Sequence, residues 1–153
     1  MRTRTLLVSL AVFFAGFALC FAADAQMGTW KLNEGKSKFT PGSMFHTVVY
    51  AAEGDNVKIT VDGVDKDGKP THNEWTGKFD GKDYPIIGDR NADSRSYKMV
   101  DDRTLAMTIK KGGKVTITGT IAVSADGKTR TVSTSGVTPA GVKIANEAVY
   151  DKQ

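Results

Sequence analysis

The chain has 153 residues, one cysteine, and 21 lysines and arginines against 17 aspartates and glutamates. That length fits a single domain able to bury a proper core, and the mild positive charge is scattered in small groups rather than in one stripe. Nucleic-acid binding needs a clustered basic face, so no nucleic-acid partner is expected.

Met1-Arg2-Thr3-Arg4 is basic, Leu6 to Ala22 is apolar apart from Ser9 and Gly16, and Ala23-Asp24-Ala25 supplies small residues at an A-x-A site. This pattern predicts a signal peptide over residues 1–25, cleaved before Gln26, with cleavage after Ala23 as the near alternative. A signal anchor is the competing reading, because an apolar run of about 17 residues lies at the low edge of a membrane span. The small-residue site favours cleavage, which places the mature chain, 26–153, in the periplasm or outside the cell with no stable membrane insertion. Cys20 follows Leu19, which is too large for the residue that precedes a lipidated cysteine. Cleavage then leaves a mature chain without any thiol, so disulfides and cysteine metal sites are not expected.

Strand signals recur almost without a break along the mature chain. Thr29 to Leu32 opens the series, followed by His46 to Ala52 and Val57 to Asp62, both rich in Val, Ile and Thr. Thr71 to Phe79 puts Asn73, Trp75, Gly77 and Phe79 on one face and His72, Glu74, Thr76 and Lys78 on the other. Tyr84 to Ile87 and Ser94 to Val100 are shorter runs. Leu105, Met107 and Ile109 alternate with Thr104, Ala106, Thr108 and Lys110. Val115, Ile117, Gly119, Ile121 and Val123 alternate with lysine and threonines. Thr129 to Gly136 and Lys143 to Tyr150 close the list. Asp67-Gly68, Asp80-Gly81, Gly112-Gly113 and Asp126-Gly127 fall between such runs, where the glycine supplies the positive φ of a tight turn. No segment carries a convincing helical period; Gly35 to Gly42 has room for one turn.

Consecutive hairpins predict an all-β, antiparallel up-and-down barrel of about 8–10 strands, since a long meander exposes two edges unless it closes. A flat sandwich is the alternative, less favoured because no long crossover is present. Gly28-Thr29-Trp30-Lys31-Leu32-Asn33, followed by Lys36-Ser37-Lys38-Phe39, resembles the opening of lipocalin-like proteins of the calycin group. With the tail Ala148 to Lys152, it resembles small exported bacterial barrels of that type, a group with no settled activity. The resemblance implies that Trp30 packs across the closed end of the barrel beneath a late-strand arginine. Arg130 is the nearest candidate for that partner, ahead of Lys143.

Chemistry is sparse. His46 and His72 are the two histidines, and Glu74 two residues from His72 offers an acid–base pair whose simpler reading is a solvated strand surface. Asp89-Arg90-Asn91-Ala92-Asp93 reproduces the start of a calcium loop. Ser94 and Val100 stand where that loop needs glycine and a bidentate glutamate, so no metal site is assigned. No catalytic residue and no cofactor is assigned either. The lip formed by Tyr84-Pro85-Ile86-Ile87 and Arg95-Ser96-Tyr97 suits an amphipathic molecule with an acidic head. The leading expectation is a non-catalytic protein holding a small apolar or amphipathic ligand, with Trp75, Phe79, Arg95, Tyr97, Met107 and Ile117 as contacts. The alternative is a packed barrel that acts through its outer surface in the cell envelope; an enzyme ranks third.

Overall fold

The computed structural model describes residues 24–40 and 44–153. The predicted leader, as far as residue 23 and including Cys20, lies outside the described residues. Ten strands follow in order: β1 (Gly28–Leu32), β2 (Met44–Glu53), β3 (Asn56–Val64), β4 (Pro70–Gly77), β5 (Tyr84–Ile87), β6 (Ser94–Met99), β7 (Thr104–Lys111), β8 (Lys114–Val123), β9 (Thr129–Val137) and β10 (Lys143–Lys152). Among the described residues one 3-10 turn, Glu34–Lys36, overlaps the start of the stretch Gly35 to Gly42 read as having room for a single turn. Each strand pairs antiparallel with its neighbours in sequence, and β10 pairs with β1 through Trp30↔Lys152, Lys31↔Asp151 and Leu32↔Tyr150, closing the barrel. Closure leaves no unpaired edge, which is what the run of hairpins required.

The alternation read from the sequence sets the inside. Trp30, Val48, Tyr50, Ile59, Val61, Trp75, Tyr97, Leu105, Met107, Ile121 and Tyr150 all point inward and are buried. Two strands depart from simple alternation: His46 is an extra residue in β2, between the Phe45↔Gly63 and Thr47↔Asp62 pairs, and β8 carries another. Ile109 pairs with Ile117 but Lys110 pairs with Val115, so Thr116 is an extra residue in β8. The bulge flips the face of what precedes it, as an inserted residue must. Val115, grouped with the inward set by its spacing, is consequently 56% exposed.

The two ends of the barrel differ. The lower end carries the incoming chain at Gln26, the turns near residues 54, 80, 101 and 126, and the C terminus. Its interior is solid: Gln26, Trp30, Leu105, Val123, Arg130 and Tyr150 are buried there. The upper end carries the connection after β1 and the turns near residues 67, 90, 112 and 140. Its inward side chains, including Phe45, Ile109, Ile117, Thr134 and Ile144, are only half-buried. Gly119 and Gly136 stand among them in β8 and β9 and add no side chain of their own. Gly136 is required by its place: φ is 153°, and a Cβ would run into the carbonyl of Thr116.

Candidate functional site

At the lower end Arg130, paired across β9 and β10 with Tyr150, turns its guanidinium into a cage of rings. Its central carbon lies 5.0 Å from the Trp30 ring, 4.8 Å from Tyr50 and 5.0 Å from Tyr150. The residue is 1% exposed, and among the described residues no carboxylate forms an ion pair with it. The faces of the three rings take that part instead. Trp30 Nε1 donates to the carbonyl of Gln26 at 2.9 Å, and Gln26 Nε2 donates to the carbonyl of Arg103 at 3.0 Å. The incoming chain is thus tied across the barrel end. Burial pushes the Tyr150 hydroxyl up to about 12, with Arg130 pulling the other way.

Above this cage, Trp75, Phe79 and Tyr97 come together. Trp75 and Phe79 stack at 6.3 Å, and Tyr97 meets Trp75 edge-on at 4.8 Å and Phe79 at 5.8 Å. Tyr50 completes the group against Phe79 at 6.4 Å. Burial first, and then Tyr97, raise the Tyr50 hydroxyl well above the ordinary tyrosine range, although Arg130 and Arg95 both act to lower it. Met107 sits beside Tyr97 in the β6–β7 register and is buried. These side chains pack chiefly on one another and form the central layer of the core.

Arg95 and Ile117 lie higher. The register runs Arg95↔Ile109↔Ile117↔Gly136↔Ile144 across β6 to β10, an inward row with one cation at its start. The Arg95 backbone is fixed because Trp75 Nε1 donates to its carbonyl at 2.8 Å. Its side chain is 5% exposed. Nη1 donates to the Tyr97 hydroxyl at 3.2 Å, Nη2 is 4.0 Å from Asp89 Oδ2, and Nε has no partner. Burial works against this charge, and Tyr97 with Asp89 outweighs it, so the guanidinium pKa is raised. Two further inward atoms in the upper half of β4, Thr71 Oγ1 and Asn73 Oδ1, are also buried and unpartnered.

The wall is thinnest beside this row. β5 meets β4 only through Glu74↔Ile87 and Trp75↔Ile86, and meets β6 only through Tyr84↔Arg95 and Pro85↔Ser94. Pro85 has no N–H to add to the ladder. Beyond β5, Gly88 takes φ 88°, and a Cβ there would strike the carbonyl of His72. The loop that follows holds the calcium-like string, but its carboxylates do not converge. Asp89 Oδ1 accepts from the Asn91 N–H at 2.8 Å, while Asp93 accepts from Gly112 N–H at 2.6 Å and Lys111 Nζ at 2.8 Å. Among the described residues, no group of three or more His, Cys, Asp or Glu side chains is placed to hold a metal ion.

His72 lies on the outer face, its Nδ1 2.6 Å from Asp62 and Nε2 3.3 Å from Glu74, with Lys58 3.0 Å from the other Glu74 oxygen. A shallow concavity of about 360 Å³ also lies outside, over β8 and β9, lined by Thr118, Thr120, Ser133 and Ser135 with Gly119 and Thr134. Four residues with a part in these sites were missed in the sequence: Gln26, Tyr50, Thr71 and Asn73. Tyr50, Thr71 and Asn73 carry only the inward parity of their strands, and no local signal marks Gln26.

No family model and no curated protein matches the chain. Among solved structures it is similar to a redesigned β-barrel, mFAP1, bound to DFHBI, at 17% identity and TM-score 0.46, over 86% of this chain and 99% of that one. It is also similar to EF1p2_mFAP2b bound to DFHBI, at 15% identity and TM-score 0.47, over 87% of this chain and 98% of that one.

Proposed function

We propose that this chain is an exported, non-catalytic, lipocalin-like binding protein that holds one small apolar or amphipathic molecule in the upper half of its barrel. One observation carries the reading. Arg95 Nε, Asn73 Oδ1 and Thr71 Oγ1 are buried, inward-facing and unpartnered in the half of the barrel where Ile109, Ile117 and Ile144 are only half-buried. Buried polar groups in proteins are normally hydrogen-bonded, and a few convergent polar groups among apolar side chains is the ordinary make-up of a ligand site. The packed lower end then serves as a floor, with Trp30 and Arg130 structural rather than in contact with ligand. Trp75, Phe79, Tyr97 and Met107 form the bed beneath the ligand, and Arg95 and Ile117 border it. The basic, apolar and small-residue leader supports export to the periplasm or beyond.

A second reading is favoured by a separate feature. Ile87, Val115, Val137 and Val142 are exposed apolar side chains, all carried at the upper end. They suit the lip of a pocket, and they equally suit a surface that meets a protein partner. Native mass spectrometry of the protein, purified gently from the exported fraction, separates the two. A reproducible small added mass, lost on denaturation, is the expected result. A bare mass accompanied by self-association or a bound protein moves the function to the outer surface.

A further inference from the structure

Among the described residues, both buried charged side chains, Arg95 and Arg130, are cations. Arg130 is surrounded by rings. Arg95 is the one that stands in the inward row with the half-buried Ile109 and Ile117. A guanidinium presents its Nε and one Nη along a single edge, spaced to match the two oxygens of a carboxylate. In Arg95 the Nη1 corner is taken by the Tyr97 hydroxyl, while the Nε/Nη2 edge makes no hydrogen bond among the described residues. The nearest acid, Asp89, stands off at 4.0 Å from Nη2, beyond hydrogen-bond reach, with its other oxygen engaged by the Asn91 N–H of its own loop. Asp89 is 17% exposed, so it sits between the buried arginine and solvent. It belongs to a loop that leaves the weakly paired β5 at Gly88.

We propose that the ligand carries a carboxylate head that binds the Nε/Nη2 edge of Arg95 through both oxygens, displacing Asp89, with its apolar body along Ile109 and Ile117. This deepens the ligand-binding reading above and rests on it. Asp89 is the internal competitor: it keeps the buried cation tolerable in the empty barrel, held far enough away to yield to a better-seated oxyanion. A buried charge without any partner is expensive, which accounts for an acid at the site. An acid locked onto Arg95 at hydrogen-bond distance would exclude an anionic ligand, which accounts for the gap.

The test uses the mature protein with an uncharged reporter, N-phenyl-1-naphthylamine, displaced in parallel by decanoate and by decanol. The readout is the ratio of the two competitors' affinities. The wild-type ratio should favour decanoate by about tenfold, the equivalent of one well-made charge-assisted contact. D89N, whose amide can still accept the Asn91 N–H, should raise that ratio about fivefold by removing the competing charge. R95M should bring it to about one. Reporter binding with equal displacement by acid and alcohol in the wild type and D89N overturns the carboxylate assignment and leaves the pocket standing. No saturable reporter binding in the wild type and D89N overturns the pocket as well. D89N carries the test even where R95M does not fold.

Discussion

Replacing Arg130 by methionine and by alanine separates charge from volume at the barrel floor. The guanidinium lies 4.8 to 5.0 Å from three ring centroids, and desolvated contacts of this kind contribute about 2 kcal/mol each. Against them stands the removal of a cation from water, a penalty of several kcal/mol after relaxation. Two buried nitrogens of the side chain, Nε and Nη1, also lack partners, at about 1–3 kcal/mol each. The two sides cancel to within a few kcal/mol. Methionine keeps much of the volume and removes both the attraction and the penalty, so Arg130→Met should change stability by no more than about 1.5 kcal/mol in either direction. Alanine removes the same charge but leaves a void among Trp30, Tyr50 and Tyr150, with an expected loss of about 3–5 kcal/mol. Equilibrium urea unfolding, followed by the emission of Trp30 and Trp75, measures both variants. Equal losses in the two would refute the reasoning, because charge rather than volume would then hold the floor together.

His72 is hydrogen-bonded to Asp62 and Glu74, which raise its pKa above the ordinary 6.5. The sign follows: the charged ring favours the fold below pH 6.5, and that contribution is lost as pH rises through the folded value. The ring is half exposed, so solvent screens the effect and its share of stability is small. An NMR titration should show a His72 midpoint above 6.5 that falls back in Asp62→Asn; a midpoint at or below 6.5 contradicts the geometry. Tyr150, lifted by burial to about 12, stays protonated in the fold where an unfolded tyrosine ionises near 10. Its contribution is intact below pH 10 and drains away as pH climbs toward 12. Tyr150→Phe should remove a late step from the alkaline absorbance titration. It should also cost about 1 kcal/mol for the lost bond from the hydroxyl to the Phe45 carbonyl, made at 3.0 Å. An unchanged titration curve would show that Tyr150 is not the shielded group.

The barrel was legible because its strands alternate with period two and its turns are marked by Asp-Gly and Gly-Gly. Tyr84–Ile87 and 114–123 occupy the spans read for them, and the other strands differ by one to three residues at their ends. Val115 escaped that logic, because a bulge is a matter of pairing between strands and leaves no mark in one strand's own alternation. The meeting of Trp30 with Arg130 joins residues far apart in the sequence, which no local pattern shows. The site was harder still. Alternation identified Trp75, Tyr97 and Met107 as inward, but it could not separate residues that fill the centre from those nearer the half-buried upper end, because parity within a strand carries no information on height in the barrel. Asp89 drew notice only within a calcium-like string; its place beside Arg95 arises from the loop's return over the barrel end.

Titration of N-phenyl-1-naphthylamine into the wild type and into Ile117→Trp tests the proposed ligand site in the upper barrel most directly. Ile117 is half-buried in the inward row, opposite Gly136, so an indole there should occupy the space assigned to the ligand. The expected result is saturable binding of one dye per wild-type chain, weakened at least about tenfold in Ile117→Trp while the variant remains folded. Dye uptake that never saturates, or that is the same in both proteins, would contradict a ligand site inside the barrel.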